Sequence, residues 1–259
     1  MYRLAFNHGL WNPIRDHLLH AFRCISGSDQ NSAIRYSYQR DVKAYMIARL
    51  LILYVLRRHF LLDPVDVSIE RTAEGRPHLP SQPGFDFNVS HNGDYTVLAA
   101  CTHGRVGVDV MRVELPPFGT SALKFLLKMK NIFAASEWNF LMSGVSDTDK
   151  MQRFFRLWCL KEAYVKALGV GLSMDLQTVE FQVSNATPIC ICADPARWTF
   201  EEHILGPNHT LAIAWNISGP QVCSSVFHSV VVHCVKIIAL LTKKCYLYVG
   251  LYKQTRSTR

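Results

Sequence analysis

A short valine-rich segment places a single carboxylate in the middle of an apolar strand. The segment from Val106 to Val110 reads VGVDV, so the period of a strand puts the valines on one face and Gly107, Asp109 and Met111 on the other. An unpaired charge in such surroundings is costly. Asp109 therefore requires a cation, either a basic side chain or a metal ion, and an ordinary pairing with an arginine at the strand end is the alternative. Gly107 leaves room for another group to approach the backbone.

A long helix is predicted from Asp149 to Leu168, where Gly169 ends it. Glu162 and Lys166 are four residues apart and share one face of this helix. Such a pair is commonly an exposed ion pair that contributes about 0.3–0.5 kcal/mol. Aromatic residues crowd the flanks, however, so we expect this face to be partly buried. In a cleft, a glutamate suits a hard divalent cation and a lysine suits a phosphate group.

A second alternating strand leads into a tight turn at residues 91–94. Apolar and polar residues alternate from Phe85 to Ser90, so Asp86, Asn88 and Ser90 share one face. His91 stands where the strand meets the turn and is placed to donate a hydrogen bond to a phosphate. A histidine with only local hydrogen bonds is the alternative.

A polar turn between Arg71 and Pro77 carries two arginines around a glycine. Arg71 and Arg76 form a basic loop that suits anions. For an isolated pair of arginines, a solvated turn is the more frequent outcome.

The remaining elements mix helices with hairpins of antiparallel type. The pattern predicts helices over residues 41–60, 121–130 and 136–142. It predicts strands over residues 65–70, 95–101, 106–110, 178–183 and 210–216. This order is typical of an α+β fold, and a boundary near residue 104 divides most of the chain into two halves of similar size.

The basic charge is concentrated at the C-terminal end. The chain carries 28 Lys and Arg against 20 Asp and Glu, a formal net charge of +8. From Val222 onward there are six basic residues and no acidic one, which leaves 22 basic against 20 acidic residues in the remainder. The charge is therefore weak evidence for a nucleic-acid partner, and no RNA- or DNA-binding motif accompanies it.

The cysteines and the chain start favour a reduced, cytosolic protein. Eight cysteines include no CxxC pair, and no secretory signal opens the sequence. The apolar stretch from Val226 to Leu241 contains His228, His233 and Lys236 and is shorter than the roughly 20 apolar residues that a membrane-spanning helix needs. We therefore expect no membrane association.

Taken together and in this order, the motifs resemble the 4′-phosphopantetheinyl transferases of the large, monomeric (Sfp-like) type, most closely the animal enzymes named for aminoadipate-semialdehyde dehydrogenase. The paired motifs G-[IV]-D and W-x-x-K-E-[AS]-x-x-K are the hallmark of that family. The resemblance covers about residues 3–217. The matching segments are Arg71–Pro77, Phe87–Tyr95, Val106–Met111 and Trp158–Ala167.

The resemblance implies a reaction and a fold. Such enzymes move the 4′-phosphopantetheine arm of coenzyme A onto a serine of an apo acyl carrier protein domain and release adenosine 3′,5′-bisphosphate, with Mg²⁺ as cofactor. The implied fold has two similar halves related by a pseudo-twofold axis, residues 1–103 and 104–217, with the active site between them. The implied partners are carrier domains of the fatty acid synthase and aminoadipate-semialdehyde dehydrogenase types, and the implied state is a cytosolic monomer.

The resemblance also implies the site residues. Asp109 and Glu162 are implied Mg²⁺ ligands. Catalytic roles fall to Glu162, Lys166 and His91, with Glu162 the stronger candidate for the base that accepts the serine proton. The implied contacts to coenzyme A are Arg71, Thr72, Ala73, Glu74, Gly75, Arg76, Asn88, Val89, Ser90, His91, Asp109 and Lys166.

Two departures from the family pattern stand out. Met111 occupies the position at which many relatives carry a third acid, so water is expected there. After Asn216 the resemblance ends, and residues 218–259 form a divergent hydrophobic and basic tail. The alternative function is therefore a catalytically weak isoform that binds coenzyme A or carrier proteins without efficient transfer.

Overall fold

The computed structural model describes residues 1–62, 67–183, 188–192 and 197–217. The described residues form two compact units: a helical unit, residues 2–62, 67–68 and 94–98, and a sheet unit, residues 1, 69–93, 99–183, 188–192 and 197–217. Helices and antiparallel strands occur together, which confirms the α+β prediction. The divergent tail, residues 218–259, lies outside the described residues.

The helical unit is built on one long apolar helix. It contains β1 (Tyr2–Asn7), α1 (Arg15–Arg23), α2 (Gly27–Ala33), α3 (Gln39–Phe60) and the first residues of β5 (Tyr95–Cys101). The α3 helix matches the predicted helix closely, and its apolar face forms the core of the unit. The side chains of α3 that are almost fully buried are Ala44, Met46, Ile47, Leu50, Leu51, Val55 and Leu56.

The sheet unit contains the remaining elements. They are β2 (Glu70–Arg71), β3 (Pro77–His78), β4 (Asp86–Asn92), β6 (Gly104–Arg112), α4 (Ala122–Lys128), α5 (Ala135–Met142), α6 (Asp147–Leu168), β7 (Phe181–Gln182), β8 (Ile189–Cys190), β9 (Thr199–Leu205) and β10 (His209–Ile217). Its main sheet has the antiparallel order β6-β10-β9. Val108 of β6 lies opposite Ile213 of β10, so the buried faces of the two strands coincide.

Gly107 lets α6 lie directly on β6. A Cβ atom at position 107 would stand 2.0 Å from the carbonyl oxygen of Ala163 and 2.5 Å from the nitrogen of Ala167. The predicted approach to the Gly107 backbone is therefore confirmed, and the approaching group is the backbone of α6. The helix begins after Ser146, whose side chain accepts from the Asp149 N–H, and ends at Gly169 in the left-handed conformation.

Strand β4 meets the edge of β6 through side chains. We call its polar face, Asp86, Asn88, Ser90 and Asn92, the polar ladder. Three of these side chains accept backbone N–H groups of β6: Asp86 from Val106 at 2.7 Å, Asn88 from Val108 at 2.9 Å and Asn92 from Arg112 at 2.9 Å. Because side chains on one strand face and N–H groups on one strand edge both recur every two residues, the two strands match over their whole length.

Several predicted boundaries are wrong. Of the strand predicted over residues 65–70, residues 67–69 have no regular structure, 65 and 66 lie outside the described residues, and only Glu70–Arg71 is a strand. Its partner is Pro77–His78, and a proline offers no N–H to extend a ladder. Of the strand predicted over residues 178–183, Thr178 ends a 3₁₀ turn, Leu176–Thr178, and only Phe181–Gln182 is a strand.

The prediction also ended β4 too early and missed several other elements. His91 and Asn92 belong to β4 and not to the turn that follows, which begins at Gly93 with a positive φ of 57°. The elements that the sequence pattern missed are β1, α1, α2, β3, β8 and β9. In β9 the polar residues Glu201, Glu202 and His203 interrupt any regular alternation, so periodicity had no signal to detect.

Among the described residues, none of the five cysteines is part of a disulfide; they are Cys24, Cys101, Cys159, Cys190 and Cys192. Burial raises the pKa of the Cys101 thiol to about 11, so it is protonated at neutral pH.

In the described part of the chain, no helix combines the length and the apolar character needed to cross a membrane.

Replacing Gly107 by alanine is expected to destabilise the sheet unit. The new methyl group would overlap the backbone of α6, and overpacking of this kind costs about 1–3 kcal/mol or more. Urea unfolding of the Gly107→Ala variant, followed by circular dichroism, should show that loss. Gly27→Ala is the matched control because its Cβ meets nothing within 4 Å, and it should stay within about 0.5 kcal/mol of the parent. Equal stability of both variants would contradict the close contact.

Candidate active site

Three elements of the sheet unit meet at the carboxylate of Asp109. The Nζ atom of Lys166 on α6 lies 2.6 Å from Asp109 Oδ1, and the hydroxyl of Ser90 on β4 donates to the same oxygen at 2.8 Å. Lys166 Nζ is also 3.1 Å from Ser90 Oγ. The cation that the sequence required for Asp109 is therefore Lys166, and not an arginine at the strand end.

The second oxygen of Asp109 has a different environment. Asp109 is only 4% exposed, and within the described residues its Oδ2 atom is buried without a hydrogen-bond partner. The thiol of Cys159 interacts with the Asp109 side chain and donates to the carbonyl of Thr210 at 3.6 Å. Burial and the charge of Asp109 hold the pKa of this thiol well above its usual range. Cys159 therefore adds no charge to the site.

Glu162 completes the charged group. Burial, and then the charge of Asp109, raise the pKa of Glu162 above its usual value, while Lys166 acts in the opposite direction. A carboxyl group whose pKa is raised is a better proton acceptor than an exposed glutamate. Glu162 and Lys166 both line a cavity of about 340 Å³, as the helical spacing predicted.

The cavity gathers residues from several predicted motifs. Its wall from α6 is formed by Glu162, Val165 and Lys166, and the hairpin β2–β3 and strand β4 supply another part. The lining residues outside α6 are Glu74, Gly75, Arg76, Pro77, Asn88, Gly169, Gly171, Met174 and Leu176. The segment after α6 carries no motif, so sequence reasoning missed Met174 and Leu176.

Arg76 reaches the cavity with its guanidinium already occupied. It forms a two-point ion pair with Asp86, Nη2 to Oδ2 at 2.6 Å and Nε to Oδ1 at 3.2 Å. It also donates to the carbonyls of Val106, at 2.7 Å, and Lys166. Arg76, which directly precedes β3, thus ties the β2–β3 hairpin to β4, β6 and α6. The predicted contact of Arg76 with coenzyme A stays a prediction. The sequence analysis placed Asp86 on the polar face of an alternating strand but did not predict that it pairs with Arg76.

The rest of the hairpin is held by local hydrogen bonds. Arg71 is exposed and donates from Nη1 to the carbonyl of Gly75 at 2.7 Å. Thr72 N–H donates to the Arg76 carbonyl at 2.9 Å, and Gly75 adopts a φ of 83° that favours glycine. A hydrogen bond from its own backbone N–H lowers the pKa of the exposed Glu74. Ala73 is exposed at the tip of the hairpin.

The predicted residues of β4 divide between its two faces. Asn88 lines the cavity while its Oδ1 accepts the Val108 N–H, so the polar atom left on its side chain is the amide nitrogen. Ser90 contacts Asp109. Val89 and His91 alternate with these residues, and His91 is exposed and is not part of the cavity lining. The role of His91 as a base stays a prediction, and Glu162 is better placed for it.

The donor set fits a divalent cation. The described residues contain no group of three or more His, Cys, Asp or Glu side chains that could hold a metal ion. They do provide the unpartnered Oδ2 of Asp109 and the neighbouring carboxylate of Glu162. Mg²⁺ in proteins is often held by one or two carboxylates together with waters and substrate phosphates. The side chain of Met111, two residues after Asp109, has no oxygen atom that could bind the ion.

Comparison with known proteins gives the same family as the motifs. Residues 9–103 match the family model described as 4′-phosphopantetheinyl transferase, N-terminal, and residues 105–214 match the 4′-phosphopantetheinyl transferase superfamily. A solved structure titled as the holo-acyl-carrier-protein synthase of Thermotoga maritima covers 44% of this chain and 64% of that chain, at 22% identity and a TM-score of 0.35.

Two animal proteins are much more similar. The L-aminoadipate-semialdehyde dehydrogenase-phosphopantetheinyl transferase of Xenopus laevis is 37% identical over 228 residues, which cover 82% of this chain and 75% of that protein. The human protein of the same name is 34% identical and covers 82% and 74%. With relatives this similar over most of their length, the chain belongs to the 4′-phosphopantetheinyl transferase superfamily.

Proposed function

We propose that this chain transfers the 4′-phosphopantetheine group of coenzyme A to a serine of an apo acyl carrier protein. The observation that carries the proposal is the meeting of Asp109, Glu162 and Lys166 beside one cavity. In the reaction, the serine oxygen forms a bond to the phosphorus that bears pantetheine. The bond from that phosphorus to the adenosine 5′-phosphate oxygen breaks, and adenosine 3′,5′-bisphosphate leaves with the electron pair.

The charged residues can supply the catalysis that phosphoryl transfer needs. Such reactions depend on positioning and on neutralised charge more than on covalent chemistry. Lys166 provides a cation at the cavity wall and is itself held by Asp109 and Ser90. Glu162, whose pKa is raised by burial, is our candidate for the base that accepts the serine proton.

We also propose that Asp109 and Glu162 hold Mg²⁺. The ion would neutralise pyrophosphate charge when bound. The support is the unpartnered Oδ2 of Asp109 beside a second carboxylate. Lys166 then serves as the cation that accompanies Asp109 whether or not a metal is bound.

The remaining details extend the same proposal. We infer carrier domains of the fatty acid synthase and aminoadipate-semialdehyde dehydrogenase types as acceptors, and the name of the two animal relatives supports the second type. The contacts to coenzyme A would come from the hairpin around Gly75 and from Asn88 and Ser90. A cytosolic monomer and the division into halves at residue 104 stay predictions.

The test is mass spectrometry of a carrier protein. Apo acyl carrier protein incubated with the full chain, coenzyme A and Mg²⁺ should gain the mass of one phosphopantetheine group, and EDTA should abolish the gain. If no mass is gained but calorimetry shows that coenzyme A binds, the alternative of a catalytically weak isoform is favoured. If coenzyme A does not bind either, the proposal is wrong.

Removing either carboxylate is expected to abolish most of the transfer. Asp109→Asn and Glu162→Gln each take one charge from the group beside the cavity, and loss of a base or metal ligand typically lowers turnover about 10²–10⁴-fold. Steady-state kcat for carrier modification under saturating Mg²⁺ measures the effect. Glu114→Gln is the matched control, because Glu114 is exposed and pairs only loosely with Arg112 at 3.7 Å. Full turnover of Glu162→Gln would sink the assignment of Glu162.

The raised pKa of Glu162 also predicts a pH-dependent stability difference. A folded-state pKa above the unfolded value means that the folded protein binds the proton more tightly. That contribution to stability is present below the unfolded pKa and is lost as pH rises through the folded pKa. In EDTA, Glu162→Gln should therefore unfold at a higher temperature than the parent near pH 7.5, and the difference should vanish near pH 4. A difference that is the same at both pH values would contradict it.

A further inference from the structure

A buried ion pair lies next to the cavity residues on α6. The Nζ atom of Lys161 is 2.7 Å from Glu137 Oε2, and both side chains are completely buried. Lys161 directly precedes Glu162 on α6. Lys161 belongs to the ion pair, and Glu162 lines the cavity. Taking two charges out of water is expensive, and apolar residues of similar size are often as stable. The position of this pair therefore calls for an explanation other than stability.

Glu137 is fully hydrogen-bonded. Its Oε2 atom accepts the N–H of Ala134 at 2.9 Å, at the start of α5. Its Oε1 atom accepts the N–H of Phe181, in β7, at 2.9 Å. Glu137 thus joins α5 to β7 and gives Lys161 a fixed counter-ion.

Lys161 uses all of its hydrogen-bonding capacity. An ammonium group has three donors. One goes to Glu137, one to the carbonyl of Leu176 at 3.0 Å and one to the carbonyl of Val179. Two of the three bonds therefore hold the segment that follows α6.

That segment forms part of the cavity. Gly171, Met174 and Leu176 line it, together with the residues of α6. The segment contains only short 3₁₀ turns, Gly171–Ser173 and Leu176–Thr178. A hydrogen bond of 3.2 Å from the Val179 N–H to the carbonyl of Leu176 closes the second turn. Because so little regular structure supports it, long-range side-chain bonds contribute to its position: those from Lys161 tie it to α6, and Gln177 Nε2 donates to the carbonyl of Phe133 at 3.3 Å.

We propose that Lys161 is a positioning residue for the transfer reaction, which holds residues 171–179 against α6 at the spacing that coenzyme A requires. The proposal rests on the function proposed above. Lys161 does not touch the substrate, and it acts through Leu176 and the rest of that wall. Glu137 keeps the ammonium group in place.

The test compares two variants of the full chain. Lys161→Met alone leaves Glu137 buried without a counter-ion and is expected to fold poorly. Lys161→Met combined with Glu137→Gln removes both charges at nearly constant volume, and its melting temperature should fall less than that of Lys161→Met alone. It should still fall below that of the parent, because the new amide has one acceptor oxygen for the two backbone N–H groups that Glu137 accepts. The Kd for coenzyme A by calorimetry should nevertheless rise about 10-fold, because the wall has lost its two anchoring bonds.

Two further readouts separate positioning from general damage. For the double variant, kcat at saturating coenzyme A should change less than about threefold, since the reacting groups remain. Amide hydrogen exchange over residues 176–179 should become about 10-fold faster. The matched control is Arg156→Met with Glu202→Gln, which removes another ion pair of α6, Nε to Oε1 at 2.6 Å, and should leave the Kd and this exchange unchanged.

The outcomes are distinct. A folded double variant with unchanged Kd and unchanged exchange overturns the proposal, since Lys161 would then only fill space. A tenfold rise in Kd in the Arg156 control also overturns it, because any lost ion pair of α6 would act alike. If the parent binds no coenzyme A, the proposed function fails. Amide hydrogen exchange over residues 176–179, compared between the parent and the double variant, then decides whether Lys161 holds the segment.

Discussion

The buried carboxylate of Asp109 is the constraint on which the site depends. A charge in the middle of an apolar strand is tolerated only with a cation and hydrogen bonds nearby. Lys166 supplies the cation from α6, and Ser90 supplies a hydrogen bond from β4. For Lys166 to reach Asp109 at 2.6 Å, α6 must lie directly on β6, and the missing side chain of Gly107 makes that approach possible.

The polar ladder explains why Ser90 is in the right place. Asp86, Asn88 and Asn92 satisfy N–H groups along the edge of β6, where another strand would otherwise have to pair. These bonds align β4 with β6 residue by residue. Ser90 lies between two of the bonded positions, so its hydroxyl meets the ion pair of Asp109 and Lys166.

Several features that cost stability lie in or next to the residues that line the cavity. Asp109 keeps one oxygen without a partner among the described residues, Glu162 has a raised pKa, and two charges are buried at Lys161 and Glu137. Residues held in such environments are typical of functional sites. The network around them is otherwise well satisfied, because Arg76 joins four elements through Asp86 and two carbonyls. A rigid surround of this kind lets the unsatisfied oxygen of Asp109 persist beside Lys166, which lines the cavity.

The sequence by itself determined the local elements and the family. Strand β6, helix α6 and the alternation of β4 follow from periodicity, because each depends on neighbours close in the chain. The motifs that contain Asp109, Glu162 and Lys166 indicate the transferase family through residue types and spacing alone. Weakly patterned elements such as β1 and β9 escaped, and the strand predicted at residues 65–70 was largely wrong.

Only the tertiary structure decided which partner each charge takes. The sequence offered a basic side chain or a metal for Asp109, and the fold supplies Lys166. The expected contact of Arg76 with coenzyme A stays a prediction, while the fold pairs its guanidinium with Asp86, ten residues away. Lys161 stands in a motif next to Glu162, yet its partners Glu137, Leu176 and Val179 are visible only when α5 and the segment after α6 are packed. Charge pairing depends on distances between residues far apart in the chain, and packing alone sets those distances.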